Sequence, residues 1–131
     1  MKPFAYRIKL GDTDAAGRIY FAAAFRIAHD AYEEAMAAIG LPVTTMIEEG
    51  KVGFPVVHAE ATYALPLKLG DQVFVTTRIK KVGNSSVNFL HELKTASGEI
   101  AITIHLIHVT VSPKTGKTLK MPPAFRRALM G

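Results

Sequence analysis

A single long, alanine-rich helical pattern stands near the start of the chain, and almost everything after it is strand-like. Within residues 21–39, apolar side chains recur every three or four positions, which places them on one stripe of a helix. Gly40, with Pro42 after it, marks a C-terminal stop. The alanines allow another surface to approach closely, so we expect a sheet to wrap this helix. The predicted stripe consists of Phe21, Phe25, Ala28, Tyr32, Met36 and Ile39.

Alternating apolar and polar residues predict strands on both sides of the helix. Residues 4–10 form the first strand, and four more segments follow residue 52, separated by breaks that contain Gly, Asn, Ser or Pro. Short breaks favour antiparallel neighbours. Because a single helix must cover one face of such a sheet, the sequence predicts an α+β fold, a curled antiparallel sheet around one long central helix. The segment "PPAFRRALM" is predicted to close the chain with a short helix.

Length and composition narrow the classes of protein. A chain of 131 residues is near the usual size of one domain, so residues 1–131 are expected to form a single domain. The lack of cysteine excludes disulfides, thiolate nucleophiles and cysteine metal sites, and it suits a cytoplasmic location. We see no signal peptide and no membrane-spanning segment, so no membrane partner is expected.

The net charge and the apolar pattern of the last strand indicate which partners the chain can have. The net charge of +5 favours anionic partners, although the acid-free basic segment 112–131 has the usual character of a solvated tail. The last predicted strand, residues 100–111, is apolar on both faces, while only one face can meet the helix. The other face is left to solvent or to another subunit. We therefore expect a homo-oligomer, a dimer or a tetramer.

The stretch "GDTDAAGRIYF", residues 11–21, joins the first strand to the helix. Gly17 allows a tight bend, and the helix start presents unpaired N–H groups at the positive end of its dipole. One interpretation is helix capping by Asp14 or Asp12. The other is acyl transfer, in which an N–H near Tyr20 or Phe21 polarises a carbonyl that the carboxylate attacks, directly or through water. The aromatic pair would then line an apolar acyl pocket.

This stretch resembles the signature of the hotdog-fold acyl-CoA thioesterases of the 4-hydroxybenzoyl-CoA thioesterase group. That signature is Asp-x-Asp-x-x-Gly, a hydrophobic pair, an aromatic pair and then the central helix. The likeness continues through "FPVVHAEATYALPLKLGD", residues 54–71, which is most similar to the 1,4-dihydroxy-2-naphthoyl-CoA thioesterases. The resemblance implies a hotdog fold with Asp14 as the catalytic carboxylate, Phe21 as the source of the polarising N–H and Gly17 as the bend glycine. Asp12 is then the expected helix cap.

One departure from the group bears on the substrate. Short-chain acyl-CoA thioesterases of this group often have a histidine where this chain has Phe21, so the departure favours an aromatic or bulkier acyl group. Tyr20 and Phe25 are further candidates for contact with the acyl group. His58 stands mid-strand, where a lone histidine is more often structural, but the resemblance implies a place in the pocket. Glu60 lies two residues on, hence on the same strand face, as a second candidate carboxylate.

The turn "KKVGNSS", residues 80–86, also has two interpretations. It is an ordinary hairpin, or it is a cradle in which backbone N–H groups, hydroxyls and lysine charge hold the phosphates of coenzyme A. The residues that would bind coenzyme A are Lys81, Asn84, Ser85 and Ser86.

Other functions stay open at this point. They are a short-chain acyl-CoA thioesterase, a hotdog dehydratase and a module that binds acyl-CoA without turnover. A dehydratase needs a histidine near the helix start, where this chain has none. Nucleic acid is not expected, since the aromatic residues follow core positions and are not interleaved with basic ones. No histidines and carboxylates stand at a spacing that is convincing for a metal site, so no metal is expected. No cofactor is expected beyond the coenzyme A of the substrate.

Overall fold

The computed structural model describes all 131 residues of the chain. None of its helices has the length and apolar character needed to cross a bilayer. One 3₁₀ turn, Leu10–Asp12, follows the first strand. The elements in chain order are β1 (Phe4–Arg7), α1 (Ala23–Ala38), α2 (Val43–Glu49), β2 (Val56–Tyr63), β3 (Gln72–Val82), β4 (Ser86–Thr95), β5 (Ile100–Val109) and α3 (Pro123–Met130).

The five strands form one antiparallel sheet in the order β1-β3-β4-β5-β2. Helix α1 packs against β1, β3, β4 and β5, while β1 and β2 are the two open edges of the sheet. This confirms the predicted α+β architecture, an antiparallel sheet around one central helix. The short C-terminal helix is present as α3.

The connection between β2 and β3 corrects one expectation. A short break was expected to join antiparallel neighbours, but β2 pairs with β5 at one edge and β3 pairs with β1 near the other. Residues 64–71 therefore cross the end of the sheet. They are held there by backbone hydrogen bonds, from Gly70 to Ile8 and from Ile19 to Leu67. Helix α2 was not predicted, because it buries no residue and so shows no apolar stripe.

The buried face of α1 is made mostly of alanine, which lets the strands approach its backbone closely. The predicted stripe is correct for Ala28, Tyr32 and Met36. It is wrong for Phe21, because α1 begins at Ala23 and the side chain of Phe21 is 61% exposed. The helix ends before Gly40, whose φ of 85° fits the predicted stop. The buried residues of α1 are Ala24, Ile27, Ala28, Ala31, Tyr32, Ala35 and Met36.

Two apolar clusters hold the helix to the sheet. The first, here called the N-terminal cluster, joins the first half of α1 to β1, β3 and β5 and includes Ile27, Val73 and Ile104. The second, the C-terminal cluster, joins the second half of α1 to α3 and consists of Tyr32, Met36, Val87, Phe89, Met121, Phe125 and Leu129. Strand β2 adds little to either cluster, since seven of its eight residues are exposed.

Candidate active site

Asp12, the first aspartate of the motif, is buried and does not cap α1. Its side chain is almost fully covered and accepts hydrogen bonds from the backbone N–H of Lys9, at 2.8 Å, and from the Tyr6 hydroxyl, at 2.7 Å. Its other oxygen pairs with Arg26 of α1. The predicted capping of α1 by Asp12 is therefore wrong, because Lys9, Tyr6 and Arg26 occupy the carboxylate and α1 begins without a side-chain cap. Burial raises the pKa of the Tyr6 phenol, which keeps it a donor to Asp12.

The loop after Asp12 is a tight ribbon closed by backbone hydrogen bonds. The N–H of Tyr20 donates to the carbonyl of Asp12 at 2.7 Å, and the N–H of Asp14 donates to the carbonyl of Arg18 at 2.8 Å. Gly17 stands in the bend with a φ of 77°, a conformation that L side chains rarely adopt. The ribbon thus presents Asp14 at its exposed tip and leads directly into the start of α1.

Asp14, the second aspartate, is exposed, and only one of its two carboxylate oxygens is hydrogen-bonded within the chain. Its Oδ1 accepts hydrogen bonds from the backbone N–H groups of Ala16, at 2.9 Å, and Arg18, at 3.2 Å. Its Oδ2 has no hydrogen-bond partner in the chain. Asp14 therefore closes its own loop and does not cap α1, so the capping interpretation is wrong for this residue too. One carboxylate oxygen remains free to act on a ligand.

The start of α1 offers unpaired backbone donors. Tyr20 N–H bonds to Asp12 and Ala23 N–H bonds to the carbonyl of Tyr20, but the N–H groups of Phe21 and Ala22 have no acceptor in the chain. They lie at the positive end of the helix dipole, where a partial negative charge is stabilised. These donors are the kind of group that binds a carbonyl oxygen.

A cleft of about 350 Å³ lies beside Asp14. Tyr63, the last residue of β2, lines it and donates a hydrogen bond from its hydroxyl to the carbonyl of Phe21, at 2.5 Å. Tyr63 thus links the cleft that Asp14 lines to the main chain at the helix start. Its lining residues are Asp14, Arg18, Ile19, Tyr63, Ala64, Leu65, Pro66 and Leu67. Sequence reasoning missed Tyr63, since nothing in its local pattern shows that it faces Phe21.

The aromatic residues predicted to contact the acyl group lie at the start of α1 and do not line this cleft. Tyr20 and Phe21 are both largely exposed, and their ring centroids are 4.8 Å apart. Phe25, one turn into α1, is half-buried against the N-terminal cluster. Leu10, in the turn before the loop, and Leu69, whose N–H bonds the carbonyl of Gly17, are further exposed apolar residues. The single chain thus leaves an apolar patch at the helix start, suited to an apolar ligand or a second chain.

His58 and Glu60 share a face, as predicted, but it is the face turned away from α1. Their side chains are 3.1 Å apart and mostly exposed. They pair across the strands with Ile107 and His105, whereas the helix-facing residues of β5 alternate with these. Within one chain, neither His58 nor Glu60 lines the cleft beside Asp14.

The hairpin proposed for coenzyme A lies at the opposite end of the sheet. It follows β3, whose 11 residues span roughly 33 Å from the end that neighbours Asp14. Arg126 of α3 donates a hydrogen bond to the carbonyl of Gly83 at 2.6 Å, which brings the basic C-terminal segment beside the hairpin. Lys81, Asn84, Ser85 and Ser86 are at least partly exposed there and do not join the Asp14 cleft within one chain.

Two histidines lie in the interior, away from the cleft. The odd spacing of His105 and His108 predicted opposite faces, and only His108 is buried. Its Nδ1 donates to the carbonyl of Phe54 at 3.0 Å, while Nδ1 of the equally buried His91 is hydrogen-bonded to Oγ1 of Thr77 at 2.9 Å. The Nε2 atoms of both rings have no partner. Burial lowers the pKa of each imidazole to about 4, so both are neutral at pH 7.

Comparison with known proteins gives consistent matches over nearly the whole chain. The family model of the thioesterase-like superfamily matches residues 8–129. A 1,4-dihydroxy-2-naphthoyl-CoA hydrolase from Synechococcus elongatus is 34% identical over 116 residues, covering 88% of this chain and 85% of that protein. The solved 1,4-dihydroxy-2-naphthoyl-CoA thioesterase from Synechocystis is 25% identical, with a TM-score of 0.90 over 98% of this chain and 95% of that one. A gentisyl-coenzyme A thioesterase structure is 26% identical, with a TM-score of 0.87 over 98% and 99%.

Proposed function

Because the chain belongs to the thioesterase-like superfamily and is a thioester hydrolase, we propose that it splits an aromatic acyl-CoA of the 1,4-dihydroxy-2-naphthoyl type into the free acid and coenzyme A. The observation that carries the proposal is the free Oδ2 of Asp14, a residue that lines a cleft whose wall residue Tyr63 is hydrogen-bonded to the carbonyl of Phe21, beside the unpaired donors at the start of α1. A carboxylate and an oxyanion donor are the two parts that thioester hydrolysis needs.

The reaction follows from these two parts. The thioester carbonyl oxygen accepts a hydrogen bond from the Phe21 N–H, which stabilises the negative charge that develops there and contributes roughly 10²–10³ in rate. The Asp14 carboxylate either attacks the carbonyl carbon, giving a mixed anhydride that water then splits, or takes a proton from a water molecule that attacks instead. In both routes the carbon–sulfur bond breaks, and coenzyme A leaves as the thiolate and is then protonated.

The aromatic character of the acyl group is supported by the surface at the helix start. Tyr20 and Phe21 present exposed rings, and Phe25 continues this surface into the N-terminal cluster. Flat rings pack well on one another, with energies beyond their area of burial. The relative that is 34% identical and the two thioesterase structures all carry names with an aromatic acyl-CoA substrate.

We further propose that the working enzyme is a homo-oligomer, in which the second chain completes the site. The exposure of β2 on both faces, with an unpaired edge, fits pairing with another copy. A homotetramer would also cover the outer sheet face that bears His58 and Glu60. In such an assembly, His58 and Glu60 contact the acyl group and the hairpin at Lys81–Ser86 contacts the phosphates of coenzyme A across the subunit boundary.

The proposal includes the cytoplasmic location expected from the sequence.

The test is a panel of acyl-CoAs with release of free thiol as the readout. Benzoyl, 1,4-dihydroxy-2-naphthoyl, short aliphatic and long aliphatic thioesters are compared on the parent chain and on Asp14→Asn. We expect the naphthoyl thioester to give the highest kcat/KM. Asp14→Asn is expected to lose at least about 100-fold in kcat, because the amide neither attacks nor accepts a proton.

Asp30→Asn is the matched control, since Asp30 is a carboxylate of α1 whose only contact is a weak one with Arg26. It is expected to keep the parent activity. Retained activity in Asp14→Asn would refute the assigned mechanism. Preference for short aliphatic thioesters would replace the aromatic substrate class with a short-chain one.

A further inference from the structure

The carbonyl of Phe21 has an unusual partner for a group at the start of a helix. No backbone N–H donates to this oxygen, because the first helical hydrogen bonds run to Tyr20 and Ala22 instead. The hydroxyl of Tyr63, at 2.5 Å, is its hydrogen-bond donor. Tyr63 is 42 residues away in sequence and stands where β2 ends, on the cleft wall. A strand side chain thus holds the main chain of the residue that supplies the oxyanion donor.

We propose that Tyr63 is a positioning residue for hydrolysis, whose hydroxyl fixes the backbone at Phe21 so that the unpaired Phe21 N–H is aimed at the substrate carbonyl. The inference rests on the proposed function and assigns a role to a residue outside the catalytic pair. Tyr63 acts through the main chain and does not itself bond the reacting atoms.

The geometry explains why such support matters. Residues 20–22 form a turn before α1, and the turn is tied by the Tyr20 N–H to Asp12 and by the Ala23 N–H to Tyr20. Between these ties, the carbonyl of Phe21 is held by Tyr63. Because each peptide group is planar, fixing this oxygen fixes the plane that it shares with the Ala22 N–H and so restricts ψ of Phe21; the Phe21 N–H lies in the plane on the other side of the same Cα. Without the hydroxyl one of the three ties on this turn is lost, and a donor that must meet a developing charge is held less well in its alignment.

The hydroxyl is suited to a constant structural contact. Burial raises the pKa of Tyr63, so the phenol stays protonated and remains a donor across neutral and mildly alkaline pH. The ring is also partly exposed in the cleft, so direct contact with substrate is the competing role. The two roles differ in their kinetic signature, since lost substrate binding raises KM while lost alignment lowers kcat.

The experiment compares Tyr63→Phe with Tyr32→Phe on the full chain, using the naphthoyl thioester. Tyr63→Phe keeps the ring and removes the hydroxyl, and we expect kcat to fall roughly tenfold or more, with KM within about twofold of the parent. Tyr32 is the matched control: its hydroxyl makes no hydrogen bond, and burial alone raises the pKa of its phenol. Tyr32→Phe is expected to keep the parent kcat.

A spectroscopic measurement separates positioning from general loss of structure. In the ¹⁵N–¹H spectrum, Tyr63→Phe should shift the amide resonances of Phe21 and Ala22, while the resonances of the C-terminal cluster and the melting temperature stay near the parent values. An unchanged kcat, a rise in KM alone, or a fall in kcat that merely follows a fall in melting temperature would each overturn the inference while leaving the Asp14 result intact. A parent chain without acyl-CoA hydrolysis would overturn both proposals together.

Discussion

Unpaired polar groups lie in two regions next to α1, and the two regions differ in their exposure to solvent. At the start of α1, the Phe21 N–H and the Oδ2 of Asp14 are unpaired but exposed, so water hydrates them until a ligand replaces it. Under its second half, the Nε2 atoms of His91 and His108 are unpaired and fully buried. A buried polar atom without a partner costs about 1–3 kcal/mol of stability. The first arrangement can serve a ligand, whereas the second makes the core sensitive to protons.

The largest effect expected from this contrast is a loss of stability in acid. The pKa of His91 and His108 is about 4 in the folded chain, below the ordinary value of 6.5. Their contribution is therefore complete above pH 6.5 and is lost as the pH falls towards 4, because only the unfolded chain takes up the protons in that interval. Each imidazole lowers the free energy of unfolding by as much as roughly 3 kcal/mol over this range. Urea unfolding at pH 7.5, 6.0, 5.0 and 4.5 measures it.

A control must distinguish the effect of these two imidazoles from that of the other groups that titrate between pH 7.5 and 4.5. Besides each other, the titratable groups that face them are His29 and Tyr32 of α1. His91→Leu should remove about half of the acid sensitivity, and His58→Gln, at an exposed imidazole on β2, should leave it unchanged. Equal pH dependence in the parent and in His91→Leu would show that the interior rings do not set acid stability.

The next largest effect is expected at Asp12. Unlike the two buried imidazoles, this buried carboxylate has hydrogen-bond partners for both of its oxygens. Asp12→Ala leaves the buried Tyr6 hydroxyl and the partly buried Lys9 N–H without their acceptor, so the free energy of unfolding should fall by about 2–3 kcal/mol. Arg26 is half-exposed, and its loss of the pair adds little. Thermal and urea unfolding report the change.

Asp30→Ala provides the comparison, because it removes the other carboxylate near Arg26 from an exposed position. Exposed pairs of this kind contribute about 0.3–0.5 kcal/mol. If Asp12→Ala were no more harmful than Asp30→Ala, the buried network would not hold the first strand to the helix.

The smallest effect is expected in the loop that carries Asp14. Gly17→Ala adds a Cβ that meets no atom within 4 Å but forces a φ of 77° on an alanine. Such a conformation costs about 1–2 kcal/mol, so stability should fall slightly while the shift of the Asp14 turn lowers kcat. Gly11→Ala, which also meets no atom and has no positive φ, is the control. Equal results for both variants would show that the bend needs no glycine.

Local pattern was enough for those parts of the molecule that depend on neighbours in sequence. The period of α1, the bend at Gly17 and the place of Asp14 between strand and helix were all visible in the chain. The family resemblance added the roles of Asp14 and Phe21, which remain predictions. The opposite faces of His105 and His108 followed from the two-residue period of a strand.

Contacts between different helices and strands depend on how these elements pack, and the local sequence pattern did not reveal them. The helix-capping expectation for Asp12 failed because its oxygens bond Tyr6 of β1 and Arg26 of α1, six and 14 residues away. The side of the sheet that bears His58 depends on the pairing of β2 with β5, and a short break gave no sign that β2 would skip to the far edge. The contact of Tyr63 with Phe21 depends on the same pairing.

The cleft wall from Ala64 to Pro66 lies outside the ladder of the sheet, and this has a consequence for how substrate choice can change. Its backbone is held by the carbonyl of Ala101, which receives the N–H groups of both Ala64 and Leu65 whatever their side chains are. The side chains themselves are exposed, and buried Leu67 anchors the far end. Exchanges of two or three residues can therefore enlarge or narrow the cleft in which the acyl group is proposed to bind, while the Asp14 loop and the interior keep their structure.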